Sequence, residues 1–213
     1  MAFSRPPTAQ EAVLVELRRV IATGEIAPGA PIRQDALAEQ LGVSRVPVRE
    51  ALKILEGEGQ VTYEAHRGYS VTQLSAADLA EAYRLREILE AEAIRQAMKR
   101  MAPAELDRII AAGAAVHVAT RAGDMTAITA ANREFHFALF EVCAQPRLIR
   151  LIRQLWDATE VYRGVYFQTV ANRRQTLRDH DAMEAALRGH DTRAVIKILD
   201  EHRRTAIERL ELT

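Results

Sequence analysis

The chain has 213 residues, 48% of them apolar, with 29 basic and 29 acidic side chains and a formal net charge of zero. That apolar share supplies a core for one large domain or two ordinary ones and excludes a disordered chain, and the single cysteine, Cys143, excludes an intrachain disulfide. No stretch approaches the roughly 20 apolar residues of a membrane span and the N-terminus has no leader pattern, so the expectation is a soluble, unprocessed, cytoplasmic protein with no membrane partner.

Residues 8–23 read as a helix with an apolar face of Ala12, Leu14, Val15, Leu17, Val20 and Ile21, closed by Gly24 and the turn formers Pro28-Gly29. A second helix covers about Gln34–Gln40 and breaks at Gly42. The third starts at Ser44, whose hydroxyl is placed to cap its first turn. Val43 and Val48 are spaced as a hydrophobic staple, Pro47 falls in the first turn, and Val48, Ala51, Leu52 and Leu55 repeat at core-facing spacing. Two runs, Gln60–Glu64 and Gly68–Thr72, flank Ala65-His66-Arg67 and read as a β-hairpin. From Leu74 strand signals vanish, Ser75 can cap a new helix, and Pro and Gly divide the rest into six helices: 76–101, 103–122, 124–144, 146–169, 173–188 and 191–211. The expected fold is mainly α, with a winged helix-turn-helix and its small β-hairpin over 1–74 and an all-α helical bundle over 75–213. No Gly/Ser linker separates the two, which predicts that they meet closely.

Arg45, Arg49 and Lys53 recur every four residues on the third helix, away from its Val48–Leu52–Leu55 face. The second helix of a helix-turn-helix enters the major groove with its N-terminal residues at base edges, where arginine bonds guanine O6 and N7 together. Ser44, Arg45, Val46 and Arg49 occupy that end. Arg33, His66 and Arg67 are placed to touch phosphates or the minor groove and to fix register. The plain alternative is a solvated face paired with Glu50 and Glu56. Charge does not choose between them, because residues 1–74 carry eight basic and nine acidic side chains.

The order of segments does. Gly24-Glu25-Ile26-Ala27-Pro28-Gly29, then Leu37 through Leu52, then Leu55-Glu56-Gly57-Glu58-Gly59 and Arg67-Gly68-Tyr69-Ser70-Val71 closely resemble, in sequence order, the DNA-binding domain of the GntR family. The resemblance implies that Arg45 and Arg49 contact an operator and that Gly68 lets the wing tip approach DNA. Gln60 departs from the pattern, where a hydrophobic residue is common.

A second constellation comes from spacing in the bundle. On 124–144, Met125, Ile128, Phe135, Leu139 and Val142 mark a buried face that also carries Asn132 and His136, one turn apart. On 173–188, His180 shares a face with Leu177, Met183 and Leu187; on the last helix, His202 shares one with Val195, Ile198, Leu199 and Ala206. Each histidine alone reads as a core imidazole satisfied by a neighbour. Three of them and an amide oxygen on the inner faces of three helices match an N/O-ligand site for zinc, nickel or a similar divalent ion. His66, His117 and His190 lie off this pattern, and Cys143 reads as a small buried hydrophobe.

Tyr83 through Glu90, Asn132 through Leu139, Asp179-His180 with Ala185 through Arg188, and Asp191 through His202 also resemble the FCD effector domain of the FadR-like branch of the same family, in its six-helix VanR-like variety. The resemblance implies a metal held at Asn132, His136, His180 and His202, with asparagine where many members carry aspartate. A metal with open positions takes the carboxylate or hydroxyl of a small organic acid, and a nearby cation completes recognition. Arg86, one turn from Tyr83, resembles the family's inward arginine, although a surface salt bridge to Glu90 is the alternative; Arg133, Tyr162, Tyr166 and Trp156 are candidates to line the cavity. The reading is a homodimeric regulator, not an enzyme, that binds palindromic double-stranded DNA and responds to a small carboxylate effector. The rivals are a metal-dependent hydrolase with an appended winged helix and a purely structural metal site.

Overall fold

A computed structural model describes residues 7–209. The chain opens with α1 (Ala9–Ala22), started by a full capping box in which Thr8 and Glu11 satisfy each other's backbone N–H. Its inner face is Val13, Leu17, Val20 and Ile21, spaced i, i+4, i+7 and i+8. Val13 therefore replaces the expected Ala12 and Val15, and Val15 is 67% exposed. Then come β1 (Pro31–Ile32), α2 (Gln34–Leu41), α3 (Arg45–Gly57), β2 (Val61–Glu64) and β3 (Gly68–Val71).

The two hairpin strands pair in register Val61↔Val71 to Glu64↔Gly68. The sheet has a third member absent from the sequence reading: β1 pairs antiparallel with β3, giving the order β1-β3-β2. Two residues are too few to show alternation, and they are held as a strand by the Gly29 and Val71 N–H groups, which donate to Val71 O and Ala30 O.

Ser44 stands at the N-cap of α3 in extended geometry, yet its hydroxyl makes no capping hydrogen bond. Of the two usual donors to an N-cap oxygen, the N–H groups of N2 and N3, one is missing because N3 is Pro47, and the other, on Val46, is not bonded to the hydroxyl.

Six helices follow the wing: α4 (Ala76–Arg100), α5 (Pro103–Ala122), α6 (Met125–Glu141), α7 (Pro146–Phe167), α8 (Val170–Arg188) and α9 (Thr192–Arg209). Ser75 and Asp78 cap α4 reciprocally and Asp124 caps α6. The break between α7 and α8 is tighter than expected, because the Thr169 hydroxyl accepts the Asn172 N–H and restarts the chain as helix at Val170 rather than 173. The expected end of the last helix at 211 falls outside the described residues.

Two hydrophobic clusters organise the molecule. One lies inside the bundle, around Ile94, Ile109, Phe135, Phe140, Trp156, Met183 and Leu199. The other begins in the winged helix with Val13, Leu17, Val48, Leu52 and Leu55 and continues without a break into Leu79, Tyr83, Ile128, Val161 and Phe167 of the bundle. The reading head and the bundle thus share a core. At their junction the Tyr162 hydroxyl accepts the Leu74 N–H (2.7 Å) and donates to Leu74 O (3.2 Å), and the Gln168 amide donates to Thr23 O (3.2 Å).

Candidate DNA interface and metal centre

On α3 the buried residues Val48, Ala51, Leu52 and Leu55 face the winged-helix core, which turns the other side of the helix outward. Ser44, Arg45, Val46, Arg49 and Lys53 are all exposed there, and Val46 is 50% exposed. The alternative pairing with Glu50 and Glu56 does not form among the described residues: Arg45 pairs with Asp35 of α2, and Glu56 accepts from the Tyr69 hydroxyl (3.4 Å). An exposed pair of that kind is weak and exchanges readily for a phosphate or a base. Arg33 is exposed at the start of α2.

At the wing tip His66 (φ 68°) and Gly68 (φ 84°) are both left-handed, and Arg67 is exposed and bonded to Glu64 at 3.0 Å. The result is a slim turn that presents His66 and Arg67 outward. Gln60 is buried; its backbone N–H donates to Leu55 O and its backbone O accepts from Thr72 N–H, while its side-chain amide donates to Glu58 Oε2 (3.2 Å), which offsets the polar side chain.

Inside the bundle, α6, α8 and α9 each deliver an imidazole to one point. His136 and His180 are fully buried and His202 nearly so. The ring centroids lie 5.0 Å apart for His136–His180 and 5.5 Å for each pair with His202. One nitrogen of each ring falls within 4.8 Å of the others, and the Nε2 atoms of His136 and His180 are 3.3 Å apart.

That last spacing fits two nitrogens at about 2.0–2.1 Å from one tetrahedral ion, but it also fits a hydrogen bond between neutral rings. The orphaned atoms decide. Both side-chain atoms of fully buried Asn132, on the same face of α6 one turn before His136, have no partner, and neither does His202 Nε2. Buried polar atoms without partners are costly, and a cation satisfies the lone-pair atoms Asn132 Oδ1 and His202 Nε2, while the Asn132 amide NH2 and the Nδ1 atoms of His136 and His180 stay without a protein partner. Burial, then the neighbouring imidazoles, hold His136 and His180 well below the ordinary histidine range. Burial also lowers His202, against the partial opposition of Asp179. The rings are therefore neutral, the form that binds metal. Asp179 Oδ2 accepts from His202 Nδ1 at 2.9 Å while Asp179 Oδ1 accepts from Gln175 Nε2 (2.6 Å), which leaves His202 Nε2 facing the centre. The residues present fit a divalent ion.

Around this centre lies a layer of arginines that sequence reasoning largely missed. Arg86 is inward-facing and also paired with Glu90, so the two sequence alternatives merge; the pair is buried rather than on the surface (2.8 Å, side chains 1% and 0% exposed). Tyr83, also buried, lies beneath its guanidinium at 4.8 Å and Trp156 at 4.3 Å. The other Glu90 contacts are the Trp156 indole N–H (2.6 Å) and Arg203 of α9. Arg163 of α7 stacks 4.2 Å from Trp156. Trp156, Thr159, Arg163 and Tyr166 share the i, i+3, i+7, i+10 face of α7. That spacing was the available signal, obscured by the apolar neighbours Tyr162 and Gly164.

Two expected lining residues are engaged elsewhere. The Tyr162 hydroxyl is used at Leu74, as described. Arg133 points away from the imidazoles to Asp157 (2.6 Å) and Glu160 (2.9 Å). It lines a cavity of about 550 Å³ between α1 and the α6–α7 pair. Position 133 follows Asn132 by one residue, a rotation of about 100° on a helix, and so leaves the inner face. His117 is half-buried and pairs with Asp181 at 2.8 Å, His190 is exposed, and Cys143 is buried.

A winged helix with an outward cationic stripe, fused through a common core to a bundle with a polar heart, defines a DNA-binding transcription regulator. Comparison with known proteins specifies it further. The model of bacterial regulatory proteins of the gntR family matches residues 9–71, and that of the FCD domain matches residues 81–205. The HTH-type transcriptional regulator McbR of Escherichia coli K12 is 30% identical over 165 residues, 78% of this chain and 74% of that one. The Nta operon transcriptional regulator of Aminobacter aminovorans is 32% identical over 146 residues, 67% of each chain. The solved structure of E. coli McbR matches with a TM-score of 0.81 at 26% identity, over 96% of this chain and 98% of that one. A transcriptional regulator GntR from Rhodococcus sp. RHA1 gives 0.79 at 26% identity, over 94% and 96%. The chain belongs to the GntR family of bacterial transcription regulators, among the members that carry an FCD domain. The hydrolase alternative finds no support: these relatives are transcription regulators, and Glu134, the carboxylate nearest in sequence to the His136 ligand position, is exposed.

Proposed function

We propose that the protein is a cytoplasmic homodimer that grips a palindromic operator with paired α3 helices, and that a small carboxylate effector bound at a zinc or nickel ion in the bundle controls operator affinity. Residues 1–74 act as the reading head and 75–213 as the sensor. The observation that carries the sensor half is the set of orphaned buried atoms on Asn132 and His202 beside two further imidazoles. Asn132, His136, His180 and His202 would hold the ion, which when bound supplies a Lewis-acidic point with open positions for a carboxylate. Asn132 brings no negative charge, so the set leaves the ion electrophilic and favours an anionic ligand. Asp179 fixes the His202 tautomer, Trp156 and Phe135 wall the centre against water, and α7 runs from there to the junction with α1. A change of a few kcal/mol in the relative stability of two head positions is enough to release DNA.

On the DNA side, Arg49→Ala is expected to weaken binding to an operator duplex selected in vitro by about 1–3 kcal/mol and to relax base preference at one position. Titration against a panel of single-base variants checks this, and unchanged selectivity would remove Arg49 from base readout. On the sensor side, protein purified without chelator is expected to carry close to one divalent ion per chain. The double variant His136→Ala, His180→Ala is expected to carry none, as read by elemental analysis. Stoichiometric metal in that variant sinks the proposed centre. Metal uptake that stabilises the fold, with no small carboxylic acid able to shift operator affinity, would reduce the centre to a structural role.

A further inference from the structure

Arg163 is a buried guanidinium without a counter-ion. The residue is 6% exposed and its Nε is enclosed without a partner, and among the described residues no carboxylate pairs with it and no hydrogen bond joins it to the protein. The acids within reach are already committed. Glu90 serves Arg86, Trp156 and Arg203, and Glu160 serves Arg133. What adjoins Arg163 is an aromatic ring at 4.2 Å and, 4.3 Å from the same indole, the guanidinium of Arg86. Burial, then repulsion from Arg86, lowers its pKa. Tyr83, Glu160 and Glu90 oppose that shift without bonding to the guanidinium, and a buried ion with no direct partner is destabilising; such groups are retained where an external partner completes them.

Two hydroxyls stand ready beside it. Tyr166 follows Arg163 on the same face of α7, and Thr176 comes from α8; they are 3% and 1% exposed, and neither oxygen has a hydrogen-bond partner of normal geometry. The Thr176 hydroxyl lies within loose hydrogen-bonding reach of the Tyr166 hydroxyl, and Tyr166 stands three residues from Arg163 on the same buried face of α7. The cluster also adjoins the imidazole centre. Trp156, over which Arg163 stacks at 4.2 Å, lies 5.1 Å from His136. Three neutral imidazoles and a carboxamide bring no negative charge to a divalent ion. With the ion bound, the interior holds two uncompensated positive points beside one indole, and a ligand with a single carboxylate neutralises only one.

We propose that Arg163, with the Tyr166 and Thr176 hydroxyls, is a second anchor of the effector site, and that the effector class is a small dicarboxylate with one carboxylate on Arg163 and the other at the imidazole centre. The second carboxylate's place rests on the metal reading given above; the Arg163 anchor does not.

The test compares wild type with Arg163→Met, each loaded with zinc, by calorimetry and thermal melting. The probes are malonate, succinate and glutarate, set against acetate, propionate and butyrate. At least one diacid is expected to bind wild type about tenfold or more tighter than its matched monoacid, and Arg163→Met is expected to lose that preference. Without ligand, Arg163→Met is expected to melt about 3 °C higher, the shift that ~1 kcal/mol gives in a chain of this size; a structural arginine would shift it the other way. Arg163→Lys keeps the charge and is expected to keep part of the diacid preference, a check that stands even if the methionine variant folds poorly. An undiminished preference in Arg163→Met, no diacid preference in wild type, or ligand-free destabilisation of a folded Arg163→Met overturns the anchor. If the chain takes up no zinc yet still shows Arg163-dependent diacid binding, the metal reading falls and the anchor stands.

Discussion

Glu90→Ala is expected to cost about 3–5 kcal/mol of stability, the range found when one partner of a buried ion pair is removed and the other charge is stranded. Arg86 loses its only acid, while Arg203 loses one of two and keeps Asp200. Arg86 and Arg203 are 1% and 5% exposed, and Glu90 is wholly buried between them on α4, facing α9. The same carboxylate accepts the indole N–H of Trp156 from α7, so three helices lose a common fastener. In a chain of this length the loss corresponds to a fall in melting temperature of about 10 °C. Glu90→Gln keeps the volume and an acceptor for Trp156 but not the charge, and is expected to lose most of the same amount. Equal stability of Glu90→Gln and wild type would show that hydrogen bonding, not charge, holds the layer together.

The pH dependence has the matching sign. Burial pushes the Glu90 carboxyl up, but Arg86 and Arg203, with the hydrogen bonds of Arg86 and Trp156, outweigh it and hold the group below the ordinary value of 4.5. A carboxyl depressed in the folded state stabilises the fold above the unfolded value, and the contribution is lost as pH falls through the folded one. Acid unfolding of wild type below pH 4.5 is therefore expected to be steeper than that of Glu90→Gln, as urea titrations at stepped pH would show.

The parts of this site that were legible in the sequence lie on single helices. Asn132 and His136 sit one turn apart among apolar residues, and the same 3.6-residue logic turns His180 and His202 inward on α8 and α9. Periodicity gives the face a residue occupies but not its partner on another helix. Glu90 finds Arg203 across 113 residues and Trp156 across 66, and no spacing rule connects them. Arg86 shows the limit well: its i+4 relation to Glu90 was readable, but whether the pair faced water or core was set by α7 and α9. Arg163 was passed over and Arg133 misplaced for a related reason. A charged residue in an amphipathic helix reads as surface or, near a motif, as site, and only the packing of α7 shows that one is sealed beside Trp156 and the other is turned toward α1. Ser44 failed more locally, because the capping rule was applied without noting that Pro47 removes one of its two donors.

The bundle meets the winged helix in a tight backbone approach at Gly164. A methyl group there would stand 1.9 Å from Ala22 O and 2.9 Å from Ala22 C, backbone atoms in the last turn of α1 that cannot rotate aside. α1 cannot retreat alone, since Val13, Leu17 and Ile21 belong to the core that also holds α3. Gly164→Ala is therefore expected to push the whole winged helix off α7. The overpacking costs about 1–3 kcal/mol, offset in part by the up to ~1 kcal/mol that alanine gains over glycine in a helix. The larger effect is geometric. Tyr162, two residues earlier, clasps both backbone groups of Leu74, and Gln168, four residues later, reaches Thr23 O, so the displaced helix loosens contacts on both sides of the glycine. Hydrogen exchange at the Leu74 amide is expected to accelerate at least tenfold, a loss of about 1.4 kcal/mol of local protection. None of the four candidate metal ligands lies on α7, so metal content is expected to persist while operator affinity and its response to carboxylates change together. Unaltered Leu74 protection in a Gly164→Ala protein of wild-type stability would mean that the Ala22 carbonyl yields without cost, and α7 would then lose its place as the rod between the two halves.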